Sequence, residues 1–179
     1  YLIDAATQQM ARGQVDQAIA SLTEALGEDP SHARAHALLA ICLRDRRRLT
    51  AAAHEAQAAL AAAPHDAFSH YAAGLVHEAR REWHGAEQHF QTAIELAPDA
   101  DWTRRALGHL YLLWGRHREA QPWIEAACAA DPEDAANLAL LAQWHLEARN
   151  TTRAEELARE ALRIDPHESD ALVVLGYAV

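Results

Sequence analysis

Twelve histidines and two cysteines are the residues of this 179-residue chain whose chemistry would be most visible if they were grouped. His32 and His36 stand four apart, a spacing that puts two imidazoles on one helix face. His65, Asp66 and His70 form a second close set. A zinc-type site needs three or four such ligands held together. Neither set comes with a CxxC, an HExxH or a clustered carboxylate set, and His32 and Asp66 fall near expected helix starts. The histidines are therefore expected at the surface or between helices, and no metal or other cofactor is expected. Nucleophilic chemistry has as little support. Ser21, Ser31, Ser69 and Ser169 lie in no elbow motif. Cys42 and Cys128 lack the basic surroundings that activate a thiol. No glycine-rich phosphate loop is present, and adjacent carboxylates such as Glu155 and Glu156 read as solvent-facing. The chain is expected not to be an enzyme.

What the chain does carry is periodicity. Pro30, Pro64, Pro98, Pro132 and Pro166 recur every thirty-four positions without an insertion. Ala18, Ala52, Ala86, Ala120 and Ala154 keep the same register, as do Ala25, Ala59, Ala93, Ala127 and Ala161. A third small column holds Ala40, Gly74, Gly108, Ala142 and Gly176. Proline lacks an N–H and ends one helix while tolerating the start of the next. Small columns belong where two helices cross and a larger side chain would push the backbones apart. Apolar residues recur at spacings of three and four between the columns, so each unit reads as helix, short turn, helix. Gly13 and Gly115 mark turns, and Asn150 serves another. Asp66 and Asp134 are candidate N-caps. Pro122 lies outside the series and inside an expected second helix, which must start late, near Glu119, or kink.

These columns resemble the tetratricopeptide repeat (TPR) family across essentially the whole chain. The resemblance implies an all-α fold, a right-handed α-solenoid of stacked antiparallel helix pairs. It implies a single array over 1–179, with repeats at roughly 1–32 (partial), 33–66, 67–100, 101–134, 135–168 and 169–179 (partial). The tryptophan that the family places early in the first helix is replaced by His36, His70, Arg104, Leu138 and Leu172. The later aromatic survives only as Tyr111, with Leu43, His77, His145 and Val179 in its place elsewhere.

In the family, the fourth, seventh, eleventh and fourteenth positions after each proline line the concave groove. Here they are Arg34, Ala37, Ile41 and Arg44; Phe68, Tyr71, Leu75 and Glu78; Trp102, Arg105, His109 and Leu112; and Ala136, Ala139, Gln143 and Leu146. Phe68, Tyr71, Leu75, Trp102, Arg105, His109 and Leu112 are accordingly the expected peptide-binding residues, since aromatic and arginine anchors dominate binding energy. The resemblance thus implies a protein-interaction scaffold that holds a peptide or helix of a partner protein. The alternative is a non-catalytic regulatory or self-assembly segment of a larger protein. One subset of the family clamps chaperone C-termini with lysine or arginine and asparagine in three successive repeats. Arg105 and His109 fit part of that pattern, but Leu140 stands where the next repeat needs asparagine, so this clamp is not expected.

Charge narrows the partners. The net charge is −10 and the pI about 5.6, which argues against nucleic acid. Every cation is an arginine; with abundant alanine this resembles the composition of GC-rich bacterial genomes. Turns inside helix pairs are net basic, as in Arg44 to Arg48, and loops between pairs are net acidic. One basic and one acidic edge are expected, in part because such charges complement helix dipoles. Charged edges, or the apolar last helix with Leu172, Val173, Val174, Leu175 and Val179, could support a homo-oligomer. That last helix also suggests an array continuing beyond Val179, and the first residue, Tyr1, suggests a fragment. No apolar stretch approaches the roughly 18 residues of a membrane span, and no signal peptide is visible. Cys42 and Cys128 are expected to be reduced and buried, which favours a cytoplasmic location.

Overall fold

The computed structural model describes residues 1–178, and for Ala178 only the backbone; Val179, named in two of the readings above, lies outside them. Among the described residues there are eleven helices and no strand. They are α1 (Leu2–Ala11), α2 (Val15–Glu28), α3 (Ala33–Asp45), α4 (Leu49–Ala62), α5 (Ala67–Ala79), α6 (Trp83–Leu96), α7 (Asp101–Leu113), α8 (His117–Ala130), α9 (Ala135–Glu147), α10 (Thr151–Ile164) and α11 (Ser169–Ala178). From α3 onward, first helices begin at Ala33, Ala67, Asp101, Ala135 and Ser169, and these starts keep the interval of the prolines. The fold is the expected all-α arrangement of antiparallel helix pairs. The helices pack as two compact units, Tyr1–Pro98 and Asp99–Val179.

In the first unit α3 packs on α2, α4 and α5, and α5 also packs on α4 and α6. Its core runs through Ala18, Leu22, Leu38, Leu39, Cys42, Ala52 and Val76. In the second unit α9 packs on α7, α8, α10 and α11, around Leu138, Ala142, Ala154, Leu157 and Val174. Val174, expected on an apolar outer face, is buried, whereas Leu172 and Val173 are exposed.

The small columns are buried as the crossing argument requires, with one exception and one refinement. Gly176 is exposed and meets nothing where a Cβ would stand. At Gly74 even a methyl is too large: a Cβ there would lie 2.5 Å from Cε1 of Phe90. At Gly108 it would lie 2.7 Å from Cγ1 of Ile124. Phe90 and Ile124 occupy equivalent positions on α6 and α8, where α4 and α10 have Ala56 and Ala158. In these four pairs Phe90 and Ile124 go with glycine on the first helix, and Ala56 and Ala158 go with Ala40 and Ala142; α1–α2 departs from this, setting a buried Leu22 against Ala6.

The turn inside each pair is a repeated left-handed cap. Gly13, Arg47, Arg81, Gly115 and Arg149 have φ of 71°, 59°, 60°, 78° and 63°. In each, the left-handed residue donates to the carbonyl three residues back and the next donates five back, as Arg47 to Arg44 and Arg48 to Leu43. The left-handed residue of the last turn is thus Arg149 and not Asn150. Asn150 instead caps α10 by accepting from the Arg153 N–H. Asp66 and Asp134 cap α5 and α9. The late start offered for the helix holding Pro122 is not taken. α8 begins at His117 and continues through the proline. Arg118 and Pro122 are exposed, so water can reach the carbonyl that the missing N–H leaves behind.

Candidate functional site

The expected groove residues divide between the two units, and each set stands on its own local chemistry. In the first unit the Arg34 guanidinium lies 3.4 Å from the centroid of the Phe68 ring. Phe68 meets Tyr71 at 5.8 Å, and Tyr71 meets the buried Phe90 at 6.0 Å. Phe68 and Tyr71 are half-buried and Arg34 is exposed. The result is a short surface run of cation and aromatic rings across α3 and α5, anchored on the core by Phe90. Leu75 is only 8% exposed, and Ala37 and Ile41 are also buried, because α5 packs directly on α3. The stripe is open at Arg34, Phe68 and Tyr71 and closed between them.

In the second unit Trp102, Arg105 and His109 are half-buried and Leu112 is 4% exposed. Arg105 is engaged within the chain. Its Nη1 donates to Asp134 Oδ2 at 2.5 Å and to Asn137 Oδ1 at 3.0 Å. Burial opposes ionisation of Asp134, but the Arg105 charge and hydrogen bonds from Arg105, Ala136 and Asn137 outweigh it and hold the carboxyl below its usual range. Asn137 is fully buried and donates to the Ala127 and Asp131 carbonyls. It is a polar rivet between the end of α8, the loop and α9. Sequence reasoning missed it, although the signal was there: Ser69, Thr103 and Asn137 share one repeat position, five after the proline, and each is a buried polar side chain. Asp101, Asp131 and Asp134 also come within 4.8 Å of one another here, with Asp134 already matched by Arg105.

Of the histidines weighed as metal ligands, His32, His36 and His70 are engaged within the chain, and His65 is exposed. His32 caps α3 by accepting from the Ala35 N–H. His36 bridges the Pro30 carbonyl (3.0 Å) and Glu55 Oε2 (2.7 Å). His70 repeats this geometry on the Pro64 carbonyl (3.0 Å), but its other nitrogen meets His89 Nδ1 at 3.1 Å. His77 stacks on His89, with centroids 5.2 Å apart. His77 also contacts Glu82 Oε2 at 2.6 Å through Nδ1. Burial first, then the charges His77 and His70 can carry, push His89 down to about 4. The sequence reading does not single out this imidazole trio, yet Glu55 and His89 share one repeat position, the column that meets His36 and His70.

Both thiols are free. Burial pushes Cys42 and Cys128 up to about 11, which makes them poor nucleophiles at neutral pH. The basic turn of the first unit is partly matched: Arg46 pairs with Asp16 at 2.5 Å and Arg44 with Asp45 at 2.6 Å. No helix among the described residues is long and apolar enough to cross a membrane.

A family model described as tetratricopeptide repeat matches residues 3–67, 50–101, 71–135 and 105–169. Such a match supports a role in protein–protein interaction in general. Among solved structures, a thermophilic TPR protein of Thermus thermophilus aligns with a TM-score of 0.90, at 19% identity over 99% of this chain and 96% of that one. PilF of Pseudomonas aeruginosa aligns at 0.75, with 22% identity over 97% and 79%. YrrB, a TPR protein with an unusual peptide-binding site, aligns at 0.62, with 23% identity over 96% and 89%. These likenesses are of fold. The CTR9 homolog of Arabidopsis thaliana is 34% identical over 73 residues, which is 40% of this chain and 7% of that protein. The match covers a small fraction of that relative's length.

Proposed function

We propose that this chain, which belongs to the tetratricopeptide repeat family, is a non-catalytic scaffold that holds an extended or helical segment of a partner protein. The observation that carries the reading is the partly open Arg34–Phe68–Tyr71 run on α3 and α5. Rigid aromatic side chains beside a guanidinium supply large contact area at low entropic cost. Trp102 and His109 would contribute a second patch from the other unit. Leu75 and Leu112 would support the patches from below, and Arg105 would act chiefly by fixing Asp134 and the start of α9. YrrB, which shares the fold, is a precedent for peptide as the occupant.

The test is affinity capture with mass spectrometry on the wild type, Tyr71→Ala and Trp102→Ala, with a thermal melt of each. Loss of the same partner from both variants, with melts little changed, is the expected result. Undiminished capture alongside a large loss of stability would sink the proposal. A second reading, self-assembly, is favoured by one observation: on α11, Leu172, Val173 and Tyr177 are all exposed. Light scattering across a concentration series separates the two, since a strict monomer removes the second.

A further inference from the structure

α4 is built largely of alanine, and on the side where it meets α5 a cavity of about 460 Å³ opens, with His89 of α6 in its lining. Ala53, Ala56, Leu60, Ala73 and Val76 make its apolar wall. Of the α5 residues in it, Ala73 and His77 lie on the opposite side of that helix from Phe68 and Tyr71 by the 100° step, with Val76 on the flank between. This is therefore a different surface from the one proposed for a peptide.

Two imidazoles, His77 and His89, line the cavity, and bonds made away from it fix their tautomers. The Pro64 carbonyl can only accept, so neutral His70 carries its proton on Nε2 and presents a lone pair at Nδ1. His89 must then donate from Nδ1, which makes its Nε2 an acceptor. The Glu82 carboxylate likewise accepts from His77 Nδ1, so His77 in its neutral form carries its lone pair on Nε2. Burial first, then the charges His77 and His70 can carry, disfavour a proton on His89, so with His70 neutral the Nε2 of His89 offers the lone pair.

We propose that this cavity binds a small uncharged aromatic compound carrying an N–H or O–H donor, of the indole or phenol kind. The ring fills the alanine-lined wall and the donor bonds Nε2 of His89. The volume falls within the roughly 300–1,000 Å³ of small-molecule pockets. Charge is disfavoured because the wall is apolar and Arg80, the one arginine among the lining residues, is already paired with Glu82 at 3.0 Å. A donor is required because a purely apolar ring would strip water from the imidazole nitrogen and return nothing.

Ligand-observed NMR on the whole chain at pH 7 tests this with indole and benzofuran, which share a shape and differ in the N–H. Indole is expected to bind at least about ten-fold more tightly than benzofuran, the size of effect an unpaired buried acceptor produces. Ala53→Leu, which fills the wall, should abolish indole binding. His89→Phe, which keeps the ring and loses the lone pair, should erase the difference between the probes. Equal binding of both probes to the wild type overturns the role of His89. Indole binding that survives Ala53→Leu places the ligand elsewhere and overturns the site.

Discussion

The helix pairs α3–α4 and α5–α6 are successive copies of one plan, and they differ at two coupled places. In the first, His36 spans a proline carbonyl and a carboxylate, and the crossing positions hold Ala40 and Ala56. In the second, His70 spans the same carbonyl and another histidine, and the crossing positions hold Gly74 and Phe90. The two backbone bonds that close the left-handed turn are the same in both. A repeat thus fixes which positions meet and leaves open what they say to one another. The earlier pair sets its histidine against the carboxylate of Glu55. The later pair has one proton to share between two imidazoles and a third imidazole stacked on them.

The comparison breaks most severely at Phe90. Phe90→Ala empties a fully buried site beside a glycine that cannot fill it, and should cost about 3–5 kcal/mol in urea unfolding. Gly74→Ala is next: its Cβ would collide with the Phe90 ring, for a loss of about 1–3 kcal/mol. In the Phe90→Ala background the same substitution should change sign and stabilise by about 1 kcal/mol, since it recreates the Ala40–Ala56 arrangement and removes a helical glycine. A double-mutant cycle with no coupling would refute the paired-column account.

Acid provides the third contrast. His89 titrates lower in the fold than in the unfolded chain, so the unfolded state takes up its proton first. The stability His89 contributes is full above about pH 6.5 and is lost as the pH falls toward about 4. His89→Glu copies Glu55 and should flatten that decline; melts at pH 7, 5.5 and 4.5 would show it, and an unchanged slope would count against the imidazole trio as its source. The smallest effect should be identical in both pairs. Arg47→Gly and Arg81→Gly relieve a left-handed arginine and should each stabilise by about 0.5–1 kcal/mol, read as a small rise in the unfolding midpoint.

The fold is legible because its determinants are single residues in register. Proline at one position and alanine at two others fix where helices start and cross, whatever their partners. The candidate site is less legible because its properties belong to pairs distant in the chain. Arg105 reads as an anchor on its stripe, yet Asp134, 29 residues on, holds it. Leu75 and Leu112 sit on the right stripe, but neighbouring helices cover that part of it. His89 has no motif around it, and its state depends on a proline carbonyl that reaches it only through His70. Arg149 in a left-handed turn is hidden by Asn150, the residue that more often adopts that conformation.

The matching of Gly74 to Phe90 and of Ala40 to Ala56 also bears on how such a chain can change by recombination. A crossover that falls inside a pair would join α3 to α6 or α5 to α4. The first product sets a methyl against a phenyl ring, and the second leaves a hole between glycine and alanine. A crossover in the loops at Pro30, Pro64 or Pro98 carries both partners together and preserves the fit. The heritable unit of this array is the helix pair, and its natural seams are the proline loops.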